Sequence, residues 1–307
     1  MVLSDYMKTL QGFLRDRKQQ NMNPQDLVLY LNRSRREIAL RTQSIRVLTP
    51  ISGSILTIQV IAGGSGYTAP VVTIGTPDFP NGAKPFPAGR QAVATAQFIG
   101  GVISNVSIVD GGSGYFQPTA KITDPHGTGA VLVASVNPIN VTAFQQEIYN
   151  FSDVPLQGFP GVDGIFAVKS VSMIYANYRY SLPCYDFSTY QAHIRQYPTQ
   201  YSYIPTVFGQ FGQGKNGSLY MYPIPSTTYQ MEWDCFCSPA DLTTDSDYEA
   251  IPQPWQDAVP YFAAHLSYLE LQNFNAAKFY LDLYDNMVHR YSSYARPGRT
   301  INPYGRY

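Results

Sequence analysis

The chain has 307 residues, 44% hydrophobic and 14% charged, with 21 basic and 21 acidic side chains that cancel to a formal net charge of zero. That length gives room for two or three domains and a sizeable core. The neutral balance argues against a dedicated nucleic-acid binder, and charge this far below the ~25% of ordinary soluble proteins suggests a surface that largely faces other protein.

The zero hides an asymmetry. Residues 1–46 hold nine basic and four acidic side chains, residues 47–138 three of each, and residues 139–307 nine and fourteen. A basic head and an acidic body would suit head-to-tail packing; two solvated surfaces would look the same. Of 25 tyrosines, 21 lie at or beyond Tyr149, and a ring with a polar tip suits interfaces as well as ordinary strands. The three cysteines, Cys184, Cys235 and Cys237, show no framework spacing and read as reduced thiols. The opening MVLSDYMKTLQGFLRDRK carries Asp5 early and lacks the apolar stretch of a leader, and no 18-residue apolar run exists, so the expectation is folding in a reducing cytoplasm.

Residues 3–18 predict a helix, with Ser4 as N-cap and Met7, Leu10 and Leu14 on one face. A second follows in NPQDLVLYLNRSRREIALRTQ, where Asn23 is the N-cap, Pro24 takes the first position and Asp26 meets the positive dipole end. Leu27, Leu31, Ser34 and Ile38 form its inward stripe, and Arg33, Arg36 and Arg41 lie off it as a basic outer face.

From Leu48 to Pro138 charge nearly vanishes and a repeat takes over. IAGGSGYTAP (61–70) returns as VDGGSGYFQP (109–118), an offset of 48. Ile55, Ile58, Val60 and Ile61 align with Ile103, Val106, Ile108 and Val109 before the turns. Two further strands follow each copy: PVVTIGTP and QAVATAQFI, then PTAKITDP and GAVLVASV. A three-strand unit is too small to bury a core alone, so two would interlock into a pseudo-twofold barrel or sandwich. The turn residues are Gly63, Gly64, Gly66 and Tyr67, then Gly111, Gly112, Gly114 and Tyr115. A phosphate-binding loop needs a Lys after the glycines and a helix next; here there is no Lys and a strand follows, so these read as strand-connecting turns with Gly at positive φ.

GIFAVKSVSMIYANYRY (164–180) alternates as a strand, DFSTYQAHIRQYP (186–198) reads as a short helix, and residues 203–237 read as three strands with a hairpin at Lys215-Asn216-Gly217. The acidic loop ADLTTDSDYEAIPQP fails as a calcium loop, because Ala250 stands where Gly is needed and Gln256 where Glu is. A helix with Val259, Phe262, Leu266 and Leu269 on one face comes next, Pro260 marking its first turn. The last helix carries Ala276, Tyr280, Leu283, Met287, Tyr291 and Tyr294 at helical spacing. His126, His193, His265 and His289 stand at no metal-ligand spacing, His265 and His289 read as surface or interface residues, and no G-x-S-x-G occurs. No catalytic residue, metal site or cofactor is expected.

The fold class this predicts is α+β. Terminal helical hairpins form a four-helix layer around a central antiparallel β-sandwich or barrel region, with a small pseudo-twofold β domain inserted. The expected boundaries are 1–46 (N-terminal helices), 47–138 (inserted duplicated β domain), 139–251 (aromatic-rich β domain), 252–295 (C-terminal helical hairpin) and 296–307 (extended basic tail).

One resemblance adds a function. Tyr222, Pro223 and Pro225 form a Y-P-x-P strand end. An acidic loop follows, then an I-P-x-x-W-x-D-A helix with Trp255, Asp257, Ala258, Ala263 and Ala264, then a helix with Ala277, Tyr280 and Tyr284. This pattern resembles the head-to-tail adaptor proteins of short-tailed bacteriophages, of the tail-tubular-protein-A type. It covers residues 1–46 and 139–307; the span 47–138 departs from the compact family pattern, though its GSGY turns look similar to segments of other phage virion proteins. The resemblance implies a structural virion protein at the head–tail junction, assembled in the host cytoplasm. It implies a ring of about twelve copies under cyclic symmetry, bound to the portal on one side and the tail nozzle or tube on the other, with double-stranded DNA passing non-specifically through the lumen. A tail fibre or spike would be a partner of the inserted domain. Arg296, Arg299, Tyr304, Arg306 and Tyr307 are then expected at the portal interface, and Arg33, Arg36 and Arg41 against Asp245, Asp247 and Glu249 between subunits. Competing readings are a non-viral protein-interaction module, since the last hairpin has tetratricopeptide texture, and a carbohydrate-binding or carbohydrate-active β protein of a phage tail.

Overall fold

A computed structural model of the chain describes residues 1–16, 22–78, 88–156, 158–175, 178–194 and 204–294. The protein is α+β. Its chain divides into two compact units, one made of Met1–Val47, Gly158–Ala167 and Cys235–Tyr307, the other of Leu48–Gln157 and Val168–Asp234.

The first unit holds the helices α1 (Leu3–Leu14), α2 (Pro24–Thr42), α4 (Val259–Glu270) and α5 (Phe274–Tyr294). Helix α4 packs against each of the other three. Beyond Val259 and Pro260 in its first turn, its buried residues are small, Ala263, Ala264 and Ser267, because close approach from several sides leaves no room for long side chains. The expected stripe of Val259, Phe262, Leu266 and Leu269 holds only at Val259; Phe262 and Leu266 are half-buried and Leu269 is exposed. In α5 the buried line is Ala277, Tyr284 and Val288, one residue round from the predicted stripe, whose Ala276, Tyr280, Leu283, Met287 and Tyr291 form a half-buried flank. In α1 the N-cap is Val2 rather than Ser4, whose amide instead donates to Asp245 Oδ1 at 2.7 Å. Tyr6 rather than Met7 fills the inward face, with Leu3, Leu10 and Leu14. Helix α2 begins as its sequence reads: Asn23 accepts from the Gln25 amide, Pro24 follows, and Leu27, Leu31, Ser34 and Ile38 are buried.

The second unit is built from strands. Strands β2 (Ile55–Ser65), β3 (Val71–Ile74) and β4 (Val93–Ile99) come from the first GGSGY copy, and β5 (Val102–Asp110), β6 (Ala120–Thr123) and β7 (Thr128–Val136) from the second. Every antiparallel pair joins the two copies: β2 with β7, β3 with β6, β4 with β5. The registers interchange. Ile58 faces Ala134 and Val106 faces Ala96; Val60 faces Leu132 and Ile108 faces Ala94. Val72 faces Ile122 and Ile74 faces Ala120, so shifting each residue to its counterpart maps this pair onto itself. Even the irregularities repeat, at Leu56 and Ile61 in β2 and at Ser104 and Val109 in β5. The shared core contains Ile55, Ile58, Tyr67 and Ile74 with Ile103, Val106 and Tyr115.

Strand β8 (Ile148–Asn150), β11 (Cys184–Tyr185), β12 (Val207–Phe211) and β13 (Ser218–Tyr222) form a sheet in the order β11-β12-β13-β8. Another sheet has the order β1-β14-β9-β10, with β1 (Arg46–Leu48), β9 (Val162–Tyr175), β10 (Tyr178–Leu182) and β14 (Gln230–Pro239). The alternating run at 164–180 is thus two antiparallel strands, Tyr175 facing Tyr178. The short helix expected at 186–198 is one turn, α3 (Phe187–Thr189), followed by a wider turn over Tyr190–Ile194; its remainder lies outside the described residues.

Candidate assembly surfaces

The GGSGY turns are structural, and their tyrosines are the working parts. Gly64, Gly66, Gly112 and Gly114 have φ of 60°, 79°, 63° and 83°. Gly63 and Gly111 serve close approach instead: a Cβ there would sit 2.6 Å from the Ile103 carbonyl oxygen and 2.7 Å from that of Ile55. The buried Tyr67 hydroxyl accepts from the Ala130 amide at 2.9 Å, and Tyr115 from the Ala92 amide at 2.8 Å. Each tyrosine therefore ties its own turn to the third strand of the other copy. The Asp124 carboxylate accepts from the amides of Thr68 and Ala69 in the first copy and of His126 and Gly127 in its own. These bonds hold its pKa well below the ordinary carboxylate value.

Most charges named for a subunit interface are engaged inside one chain. Glu249 forms a two-pronged ion pair with Arg35, each contact 2.9 Å, and the Arg35 side chain is wholly buried. Arg35 Nη1 also donates to the Ala240 carbonyl at 2.6 Å, while Asn32 exchanges hydrogen bonds with the backbone of Leu242. Burial and the neighbouring Glu249 carboxylate push the Tyr6 phenol up. Arg36 pairs with Asp241 at 3.2 Å. Arg41 pairs with Asp285 at 2.6 Å and lies over the Tyr284 ring. Asp247 accepts from the amides of Thr243 and Thr244, which lowers its pKa to about 2. Asp245 receives the Ser4 amide, and Arg33 is exposed. Arg35 was legible in principle. It stands four residues after Leu31 on the inward stripe, and an arginine there demands a buried partner. Arg296, Arg299, Tyr304, Arg306 and Tyr307 lie outside the described residues.

The tyrosines divide. Tyr6, Tyr67, Tyr115, Tyr149, Tyr190 and Tyr284 are buried, whereas Tyr175, Tyr178 and Tyr180 are exposed on β9 and the edge strand β10. His265 is half-buried, and its Nδ1 lies 2.9 Å from the Ala277 carbonyl, linking α4 to α5. Cys235 and Cys237 are buried thiols on one face of β14, and burial raises Cys237 to about 12.

The chain matches no family model. No curated protein matches it either.

Among the described residues no cluster of His, Cys, Asp and Glu could hold a metal ion, and no helix is long and apolar enough to cross a membrane. A cavity of about 300 Å³ in the second unit is lined by residues that include Asn140, Tyr149, Asp153, Met231 and Trp233; Asp153 is its one carboxylate. A second, of similar size in the first unit, is lined mainly by apolar groups such as Ile45, Phe159 and Pro252. The geometry offers surfaces for packing: an aromatic strand edge, apolar ribbon faces and internally neutralised charges.

Proposed function

We propose that this protein is a structural component of a bacteriophage virion, a head-to-tail adaptor that forms a ring between the portal and the tail nozzle or tube. In this reading α1, α2, α4 and α5 make a four-helix layer, the remaining strands a central β-sandwich, and residues 47–138 an inserted pseudo-twofold domain. The observation that carries it is the exposure of Tyr178 and Tyr180 on the edge strand β10, with Tyr175 beside them on β9, in a chain with only 14% charge. Large amphipathic rings at an unpaired edge suit protein contacts. The sequence pattern supports the same reading, because its residues Trp255, Ala258, Ala263, Ala264, Ala277 and Tyr284 are buried in the helical unit. They specify packing, as a resemblance in spacing should. A lumen with few basic groups also suits DNA passage, since each phosphate contact adds affinity and slows movement.

The test is the mass and shape of the purified protein, alone and with portal. Closed rings by electron microscopy, and a complex with portal, are the expected result. A compact monomer under both conditions overturns the proposal.

A further inference from the structure

Helix α5 carries an aromatic knob at one end and lies near an apolar socket at the other. Phe274 opens the helix and is 67% exposed, with Leu271 exposed in the turn before it. The socket is the cavity of about 300 Å³ in the first unit, walled by Ile45, Val47, Phe159, Tyr248 and Pro252 among others. An apolar cavity of ~150 Å³ already holds a benzene-sized ring, so this one admits a phenyl group together with a neighbouring side chain. Two sets of contacts place the socket away from the knob. The Trp255 amide donates to the Pro252 carbonyl, and the Trp255 ring lies against Tyr291 near the far end of α5. At ~1.5 Å rise per residue, Tyr291 stands roughly 25 Å from Phe274. On α2, Tyr30 donates to Glu270 beside the knob, whereas Arg41 meets Asp285 farther along α5, and Ser44 on the socket wall follows Arg41. One chain thus presents both parts, and its own knob does not fill its own socket.

We infer that Phe274 of one copy inserts into the Phe159–Tyr248 socket of the next copy and anchors the contact between neighbours; this rests on the ring reading above. Three observations select a second copy as the occupant. The socket has the size and apolar lining that a phenyl ring needs, and the chain itself supplies an exposed one. The charges match as well. Lys278 follows Phe274 by one helical turn on the same side of α5, and Asp247 precedes Tyr248 on the socket wall, with Asp241 and Asp245 in the same loop. The opposite pair, Glu270 in the knob's turn and Arg46 on the wall, follows the same rule, so the two sides attract. Finally, a knob and a socket at different places on one chain make a head-to-tail contact: each copy gives one ring and receives one, and repetition by rotation closes a circle. A large aromatic side chain seated in a water-free pocket is the kind of group that carries most of an interface's energy.

The test uses the full-length protein in a dilution series read by single-particle mass. Phe274→Ala and Tyr248→Ala both truncate exposed side chains, so both should keep the wild-type melting transition. Each should half-dissociate at roughly tenfold higher concentration. The double variant should be no weaker than the weaker single, because the two changes remove one contact from its two sides. Phe279→Ala, also exposed but about 140° round the helix from Phe274, should leave the midpoint where it is. Wild-type rings that Phe274→Ala reproduces with an unchanged midpoint, or losses that multiply in the double variant, overturn the knob and socket and leave the ring reading standing. Rings that persist in Tyr248→Ala while portal binding is lost give the socket to the portal and overturn the inference as well. A wild-type protein that is monomeric at every concentration, with and without portal, overturns the ring reading and this contact with it.

Discussion

Single side chains in this protein differ sharply in how much structure depends on them. Arg35 is the extreme. Removing its partner with Glu249→Ala leaves a buried guanidinium unpaired, and the expected loss is about 3–5 kcal/mol, measured by denaturant unfolding. Arg33→Ala, at an exposed position, should change stability little. Tyr115→Phe removes the acceptor for the buried Ala92 amide and should cost about 1–3 kcal/mol. Tyr67→Phe should cost less, because its bond to Ala130 is only partly buried. Asp247 gives a pH signature. Its pKa falls from 3.8 in the unfolded chain to about 2 in the folded one, so its contribution is complete above 3.8 and fades as pH drops through 2. Protection of the Thr243 and Thr244 amides, relative to their intrinsic exchange rates, should fall over that window, and Asp247→Asn should remove that fall.

At the level of elements, the sequence was most legible where local chemistry decides. Helix α2 starts at its Asn-Pro signal, and the paired GGSGY turns announced two copies of one β unit. It was least legible where several neighbours compete for one element. The predicted faces of α4 and α5 took the largest apolar residues as the contact line. A helix surrounded by three others puts its smallest residues at the closest approach and moves Phe262 and Leu266 to the side. The long alternating run broke into β9 and β10 because alternation continues across a hairpin whose strands share the pattern. Among candidate residues, Asp245, Asp247 and Glu249 were visible as an acidic loop; the Thr243 and Thr244 amides on Asp247 are local to it, but the Ser4 amide on Asp245 and Arg35 on Glu249 belong to tertiary structure. The turn glycines give a prediction of their own. Gly112→Ala adds a Cβ at a φ of 63° and against the Arg90 carbonyl, so the loss should exceed the ~1–2 kcal/mol of a left-handed residue alone, read from thermal unfolding.

For the whole molecule, the proposed ring makes demands that can be checked separately. Replacing residues 48–138 with a short linker should spare ring formation and portal binding, because the resemblance that implies a ring is carried by residues 1–46 and 139–307. Truncating residues 296–307 should abolish portal docking and leave the melting transition unchanged; normal docking would refute that role. Electrostatic packing between copies is now a narrower proposal, since Arg36, Arg41 and Glu249 have partners within the chain; rings insensitive to salt would remove it. The interchange of strands reaches beyond the finished particle. Ile55 pairs with Val136, and among the described residues no strand of the first copy pairs with another strand of that copy. On the ribosome, the first half must therefore wait, its valines and isoleucines bare, until the second has emerged. The contacts that close the unit span a long stretch of chain and form late. A nascent chain stalled within this segment would expose those strands without their partners, the condition under which chaperones capture it.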